Sequence, residues 1–261
     1  MEEQAQQTYE EWFVRFKFPG YEDVGIDEVT GLPEGWEKMK LSKVSKINSA
    51  SIKKEFVGKI SYIDIASVSP GKINSTTLYD FLEAPGRAKR IVKHGDIIWS
   101  CVRPNRKSYS VIWNPKENLI ASTGFCVISP KSLPTSYLLQ YLATDNYVAY
   151  LTNLAGGAAY PAVKTEDFRD SEVIIPEKSI VNKFDKIFKN SLEISSNLQN
   201  QNQLLKEARD ILLPRLMGGL IDVEDLGVKD EVKRYGVDDY LEMEDELGRV
   251  AEKGFEYNNK K

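Results

Sequence analysis

The sequence is poor in the residues that most enzyme chemistry depends on. Of 261 residues, one is histidine, His94. That excludes a histidine-rich metal site and leaves a single imidazole for any Ser-His or Cys-His pair. His94 precedes Gly95-Asp96, which reads as a surface turn. The two cysteines, Cys101 and Cys126, have no metal-ligand spacing and read as reduced core residues. No apolar run is long enough to cross a bilayer. The start, Met-Glu-Glu-Gln-Ala-Gln-Gln, is polar and acidic, unlike a signal peptide. There is no P-loop and no glycine-rich strand-to-helix motif, so a nucleotide, NAD or S-adenosylmethionine has no evident seat. Gly156-Gly157 is too short a signal for one. Carboxylates are plentiful but not paired in a catalytic pattern. These absences describe a cytoplasmic chain with no membrane partner, no bound cofactor or metal, and no active site of its own.

What is present is segregated charge. The net charge is -4, yet residues 222–261 hold thirteen acidic and seven basic residues, which leaves the rest slightly positive. Between Gly86 and Lys107, seven cations (Arg87, Lys89, Arg90, Lys93, Arg103, Arg106 and Lys107) face Asp96 alone. A concentrated basic segment on a near-neutral domain suits a polyanion. Arginine forks and Asn105 suit phosphates and purine edges. Lys53, Lys54 and Lys72 are candidates for further phosphate contacts, the alternative being a solvated charged face, and Tyr109 lies just beyond the segment. The cations flank a strand at both ends, so they form one patch or two. Gly156-Gly157-Ala158-Ala159-Tyr160-Pro161 is a small-residue loop with one aromatic. Gly157 and Tyr160 there permit close approach of a nucleic acid, or simply form a surface loop.

Residues 2–17 predict a helix whose apolar face is Ala5, Tyr9, Trp12 and Phe16, with Phe13 beside them, stopped by Pro19-Gly20. It is too short to stand alone. Residues 32–176 predict a mixed α/β domain. Its strands are expected at Lys59–Ala66, Asp96–Val102, Tyr109–Trp113, Gly124–Ile128 and Glu172–Ile175. Thr135-Ser136 is expected to cap a helix from Tyr137 to about Leu154, and Thr165 to cap a turn through Phe168.

A strict 4-3 apolar repeat then follows: Ile180, Phe184, Ile187, Ser191, Ile194, Leu198, Gln201, Leu205, Ala208 and Leu212. Its mean period of 3.5 is that of a left-handed coiled coil, against 3.6 for an ordinary amphipathic helix. Such a stripe needs a second helix. Ile180, Phe184, Ile187, Ile194, Leu198, Leu205 and Leu212 are the expected pairing residues, with Trp12 and Phe16 covering the flank. Ser191 and Gln201 fix register. Thirty-six residues make a rod of about 54 Å, ended by Pro214 and Gly218-Gly219. The fold class is therefore α+β. A short N-terminal helix (1–19) packs on the helical region, followed by the α/β head (32–176), a long coiled-coil helix (177–221) and an acidic extension (222–261) with a weak helix at 238–253.

Several short segments, in order, resemble the specificity subunit of type I restriction-modification enzymes. They are Gly31-Leu-Pro-Glu-Gly-Trp36, Tyr62-Ile-Asp-Ile65, Gly86-Arg-Ala-Lys-Arg-Ile-Val92, Gly95-Asp96, Val102-Arg-Pro-Asn105, Ser122-Thr-Gly-Phe125, Tyr160-Pro-Ala-Val163 and Arg209-Asp-Ile-Leu-Leu-Pro214. Ala5-Gln6 with Tyr9–Phe16 resembles the stretch leading into that family's second recognition domain. The usual subunit has two target-recognition domains and two antiparallel helices, whereas one of each is present here. The resemblance therefore implies a half-length form that pairs with itself to read an interrupted palindrome in double-stranded DNA. It also implies partners: modification subunits that methylate adenine with S-adenosylmethionine, and restriction subunits that use ATP and Mg. The acidic extension is outside the resemblance. Two other readings compete. A dimeric transcription regulator with a coiled-coil spacer is one, although no helix-turn-helix is readable. A nuclease with scattered carboxylates is the other.

Overall fold

A computed structural model describes residues 2–157 and 160–220. The expected weak helix at 238–253 lies outside them. The chain divides into two units, one up to Leu198 and one from Gln199.

In chain order the first unit begins with α1 (Glu2–Tyr9), continued by a widened π turn over Glu10–Val14. Then come β1 (Glu37–Lys40), the single-turn α2 (Leu41–Val44), β2 (Ser45–Ile47), β3 (Lys59–Ile63), β4 (Val68–Ser69), β5 (Lys72–Ile73), β6 (Thr77–Asp80), β7 (Ala88–Ile91) and β8 (Ile97–Ser100). After β9 (Tyr109–Val111), β10 (Leu119–Ser122) and β11 (Phe125–Pro130) come α3 (Thr135–Ala143), α4 (Asp145–Leu154), α5 (Thr165–Asp170) and β12 (Glu172–Ile175). The last element, α6 (Lys178–Met217), begins in the first unit and ends in the second.

Two four-stranded sheets form the head. One has the order β2-β11-β8-β9 and is antiparallel throughout. The other has the order β6-β3-β10-β7, with β3 and β10 parallel. β1 pairs with β12, so the head opens and closes on one ribbon. Ile98, Phe125 and Val127 of the first sheet pack with Ile63 and Ala121 of the second in one apolar cluster. A larger cluster joins Trp99 and Ile128 to the helices.

The strand at Glu172–Ile175 falls where the sequence predicts it. Three others are two to three residues shorter, and the one expected at Gly124–Ile128 runs from Phe125 to Pro130. β7 was not readable, because Ala-Lys-Arg-Ile is half cationic; its strand character comes from its partners β10 and residues 50–52. The single helix expected from Tyr137 to Leu154 is two. Thr144 leaves the helical region (ψ 146) and its hydroxyl accepts from the Tyr147 N–H, starting α4. Thr135 and Ser136 do not cap α3. Their hydroxyls donate to the Gly95 carbonyl and the Asp185 carboxylate. Thr165 does not cap α5 either. The Asp167 carboxylate accepts from the Lys164 N–H at 2.7 Å.

The N-terminal helix meets the helical region as expected, with its face rotated. The π turn turns Phe13 fully inward and leaves Trp12 and Phe16 half-buried. Phe13 lies edge-on to Tyr137 (4.8 Å) and Phe184 (5.3 Å). Here the pairing assignment needs correction. Ile180 and Phe184 are buried in the chain's own core, beside Val181 and Phe188. They are not available to a second copy. Steps of four (180, 184, 188, 192) keep one face of α6 on the head. The seven-residue stripe drifts off that face, and from Ile187 onward it is exposed. Ile187, Ile194, Leu198, Leu205 and Leu212 are 44–66% accessible. Pro214 does not end the helix, which continues through Met217; Gly219 then adopts φ 66.

Candidate nucleic-acid interface

The basic residues reach the surface on two pieces of chain that a single turn ties together. β7 alternates, so Lys89 points outward while Ala88 and Arg90 point inward. Arg87, just before β7, is exposed. Its carbonyl accepts from the Thr123 N–H at 2.8 Å. The next residue of that turn, Gly124, accepts from the Cys101 N–H at 2.8 Å, at the exit of β8. A side chain at Gly124 would meet the tip of Ile65, 2.3 Å from the added carbon, and Ile65 would have to shift. The turn Ser122–Phe125 thus links the backbone at Arg87 to the segment that carries Arg103.

That segment is built unusually. Arg103 adopts the left-handed conformation (φ 49, ψ 63) ahead of Pro104, a region few non-glycine residues occupy. The following proline disfavours the right-handed helical alternative. Val102 pairs with Ala162, the Arg103 N–H donates to the Pro161 carbonyl at 2.8 Å, and the Val163 N–H donates to the Cys101 carbonyl at 2.8 Å. Gly156 also pairs with Ala162. Gly156, Pro161 and Ala162 are therefore laid along the strand end. The Arg103 guanidinium carbon sits 5.0 Å from the centroid of the Tyr160 ring, a cation–π contact. Tyr160 is 57% exposed, so this pair is a surface feature. Gly157 has φ 96, and a side chain there would press on the Tyr160 carbonyl at 3.2 Å.

The other expected contacts separate. Asn105 and Arg106 are exposed on a short 3-10 turn. Lys107 is bonded to the Asp145 carboxylate at 2.6 Å, which holds that carboxyl below its ordinary range. Tyr109 stacks on Trp99 at 6.0 Å and lines a cavity of about 390 Å³ with Glu3, Gln6, Glu10 and Asp145. Lys107 and Tyr109 thus border an acidic hollow, not the cationic surface. Lys72 is exposed on β5, whose hairpin is held to β9 by the Gly71 N–H to Tyr109 carbonyl bond. Arg90 is partly enclosed beside Cys101 and Cys126, and its Nε has no partner. His94 sits in its exposed turn, with Nδ1 accepting from the Asn114 N–H at 3.0 Å and its ring 4.2 Å from Trp113.

Burial pushes the thiol of Cys101 up to about 11 and that of Cys126 well above its ordinary value. Both are free. Among the described residues, no group of His, Cys, Asp and Glu is placed to hold a metal ion, and no helix is long and apolar enough to cross a membrane. What sequence reasoning missed is the Arg103–Tyr160 pair.

The fold has solved counterparts. The HsdS subunit from Thermoanaerobacter tengcongensis superposes with a TM-score of 0.54 at 23% identity, over 71% of this chain and 48% of that one. A chain from a structure titled for complex assembly and conformational transition of the type I R-M system superposes with a TM-score of 0.53 at 23% identity, over 73% and 50%. The MjaIX specificity subunit of Methanocaldococcus jannaschii is 26% identical over 239 residues, 87% of this chain and 54% of that protein. The HindI specificity subunit of Haemophilus influenzae is 25% identical over 148 residues, 55% and 32%. The chain thus spans about half the length of the first of these relatives, or less. The family described as "Type I restriction modification DNA specificity domain" matches residues 33–205, and the chain belongs to it.

Proposed function

We propose that this chain is a sequence-specific DNA-recognition subunit of a type I restriction-modification complex. It is non-catalytic. Two copies pair through α6, and each head reads the same short word on opposite strands, which makes the target an interrupted palindrome. The paired subunit holds methyltransferase subunits, which carry S-adenosylmethionine, and restriction subunits, which carry ATP and Mg. The observation that carries the reading is the exposed stripe Ile187, Ile194, Leu198, Leu205 and Leu212 on the helix of a family whose head recognises DNA. An apolar stripe of that length, not covered by the described residues, calls for a second helix. Co-purification of the full chain with a methyltransferase subunit, followed by binding to short duplexes, tests the assignment. A stable complex with sequence-preferring binding is expected. A chain that binds neither contradicts it.

A further inference from the structure

Three cations lie between Val102 and Lys107, and only one is built into a fixed mount. Lys107 is committed to Asp145. Arg106 stands exposed on a single turn. Arg103 is held by its backbone on both sides: its N–H donates to Pro161, and its carbonyl accepts from the Arg106 N–H at 2.9 Å. Its guanidinium lies over Tyr160. The contact engages the charge of the guanidinium and leaves its N–H groups able to donate to a further partner. That leaves a guanidinium tethered at the surface, beside two exposed glycines, Gly156 and Gly157, that present no bulk of their own.

A phosphate needs charge and tolerates many approach angles. A guanine edge needs two acceptors, O6 and N7, met by a planar fork in one orientation. Little side-chain freedom remains to be lost when Arg103 binds, so its mount suits the second task. Resting on the DNA-recognition reading above, we infer that Arg103 is a specificity-determining residue that reads a guanine in the major groove, with Tyr160 as its positioning platform. Arg106, Arg87 and Lys89 then serve the phosphates and carry no base preference.

The test is selection from a randomised duplex library by the complex of the full chain with its methyltransferase subunits. The parent complex is expected to select a word with a guanine in each half-site. R103K keeps the charge and loses the fork. It is expected to keep overall affinity within a few-fold and to lose discrimination at that one base pair, on the order of 10- to 100-fold. R103A should show the same loss at the same position. Y160F retains the ring and should select as the parent does, whereas Y160A should blur that position several-fold. R106A should weaken all sequences alike. If R103K and R103A both select the parent word and differ only in overall affinity, Arg103 is a phosphate contact and the inference is overturned. A parent complex that selects no word overturns the underlying DNA-reading assignment, and this shows before any variant is made.

Discussion

Phe184 shows how one residue can hold two assignments from sequence and only one in the structure. Its place in the 4-3 repeat marks it for a seam between chains. Yet Phe13, Trp12, Tyr9 and Phe188 all surround it. Phe184→Ala should therefore destabilise the single chain by about 3–5 kcal/mol, read by urea unfolding at a concentration where no dimer forms. Leu205→Ala, on an exposed position, should change that measurement little. The cysteines give a second check. Burial raises both thiol pKa values, so at pH 8 the thiolate fraction is small, and iodoacetamide should label the native chain far more slowly than the urea-unfolded one. Among the cations, Arg106→Ala should weaken binding to every duplex and lower the salt slope by about one. Lys107→Ala should do less, because its ammonium already serves Asp145. The basic character of 86–107 was legible because it is a count along the chain. The partner of Lys107 was not, because Asp145 lies 38 positions away and nothing local announces it.

At the level of elements, α6 carries two apolar stripes that share Ile180 and Phe184. Steps of four wind about 40° each around a helix of 3.6 residues per turn and carry Phe184, Phe188 and Leu192 against the head, while the heptad stripe diverges from them. The expected consequence is clean. Replacing Ile194 and Leu198 together with Asp should abolish pairing by sedimentation and leave the melting of the head unchanged, since neither side chain is buried in the monomer. β12 was legible to the residue because Glu-Val-Ile-Ile sits between a turn and Pro176. β7 was not, since a Lys-Arg strand is defined by its neighbours and not by its own propensity. The break at Thr144 was invisible for a related reason. Apolar spacing runs through it, and only the hydroxyl bond to Tyr147 marks a new start.

For the molecule as a whole, the exposed cations and the exposed apolar stripe lie on separate stretches of sequence. The head carries Arg87, Lys89, Arg103 and Arg106, and the exposed stripe lies on α6 from Ile187 onward. Removing one heptad from α6 beyond Leu198 should therefore alter the permitted gap and preserve the half-site word. The central claim, that two identical heads read one word twice, is tested most directly by mapping methylated adenines genome-wide in a strain with and without this chain. The account predicts methylation that depends on the chain and falls in an interrupted palindrome. An asymmetric bipartite site, or a pattern unchanged by loss of the chain, would contradict it.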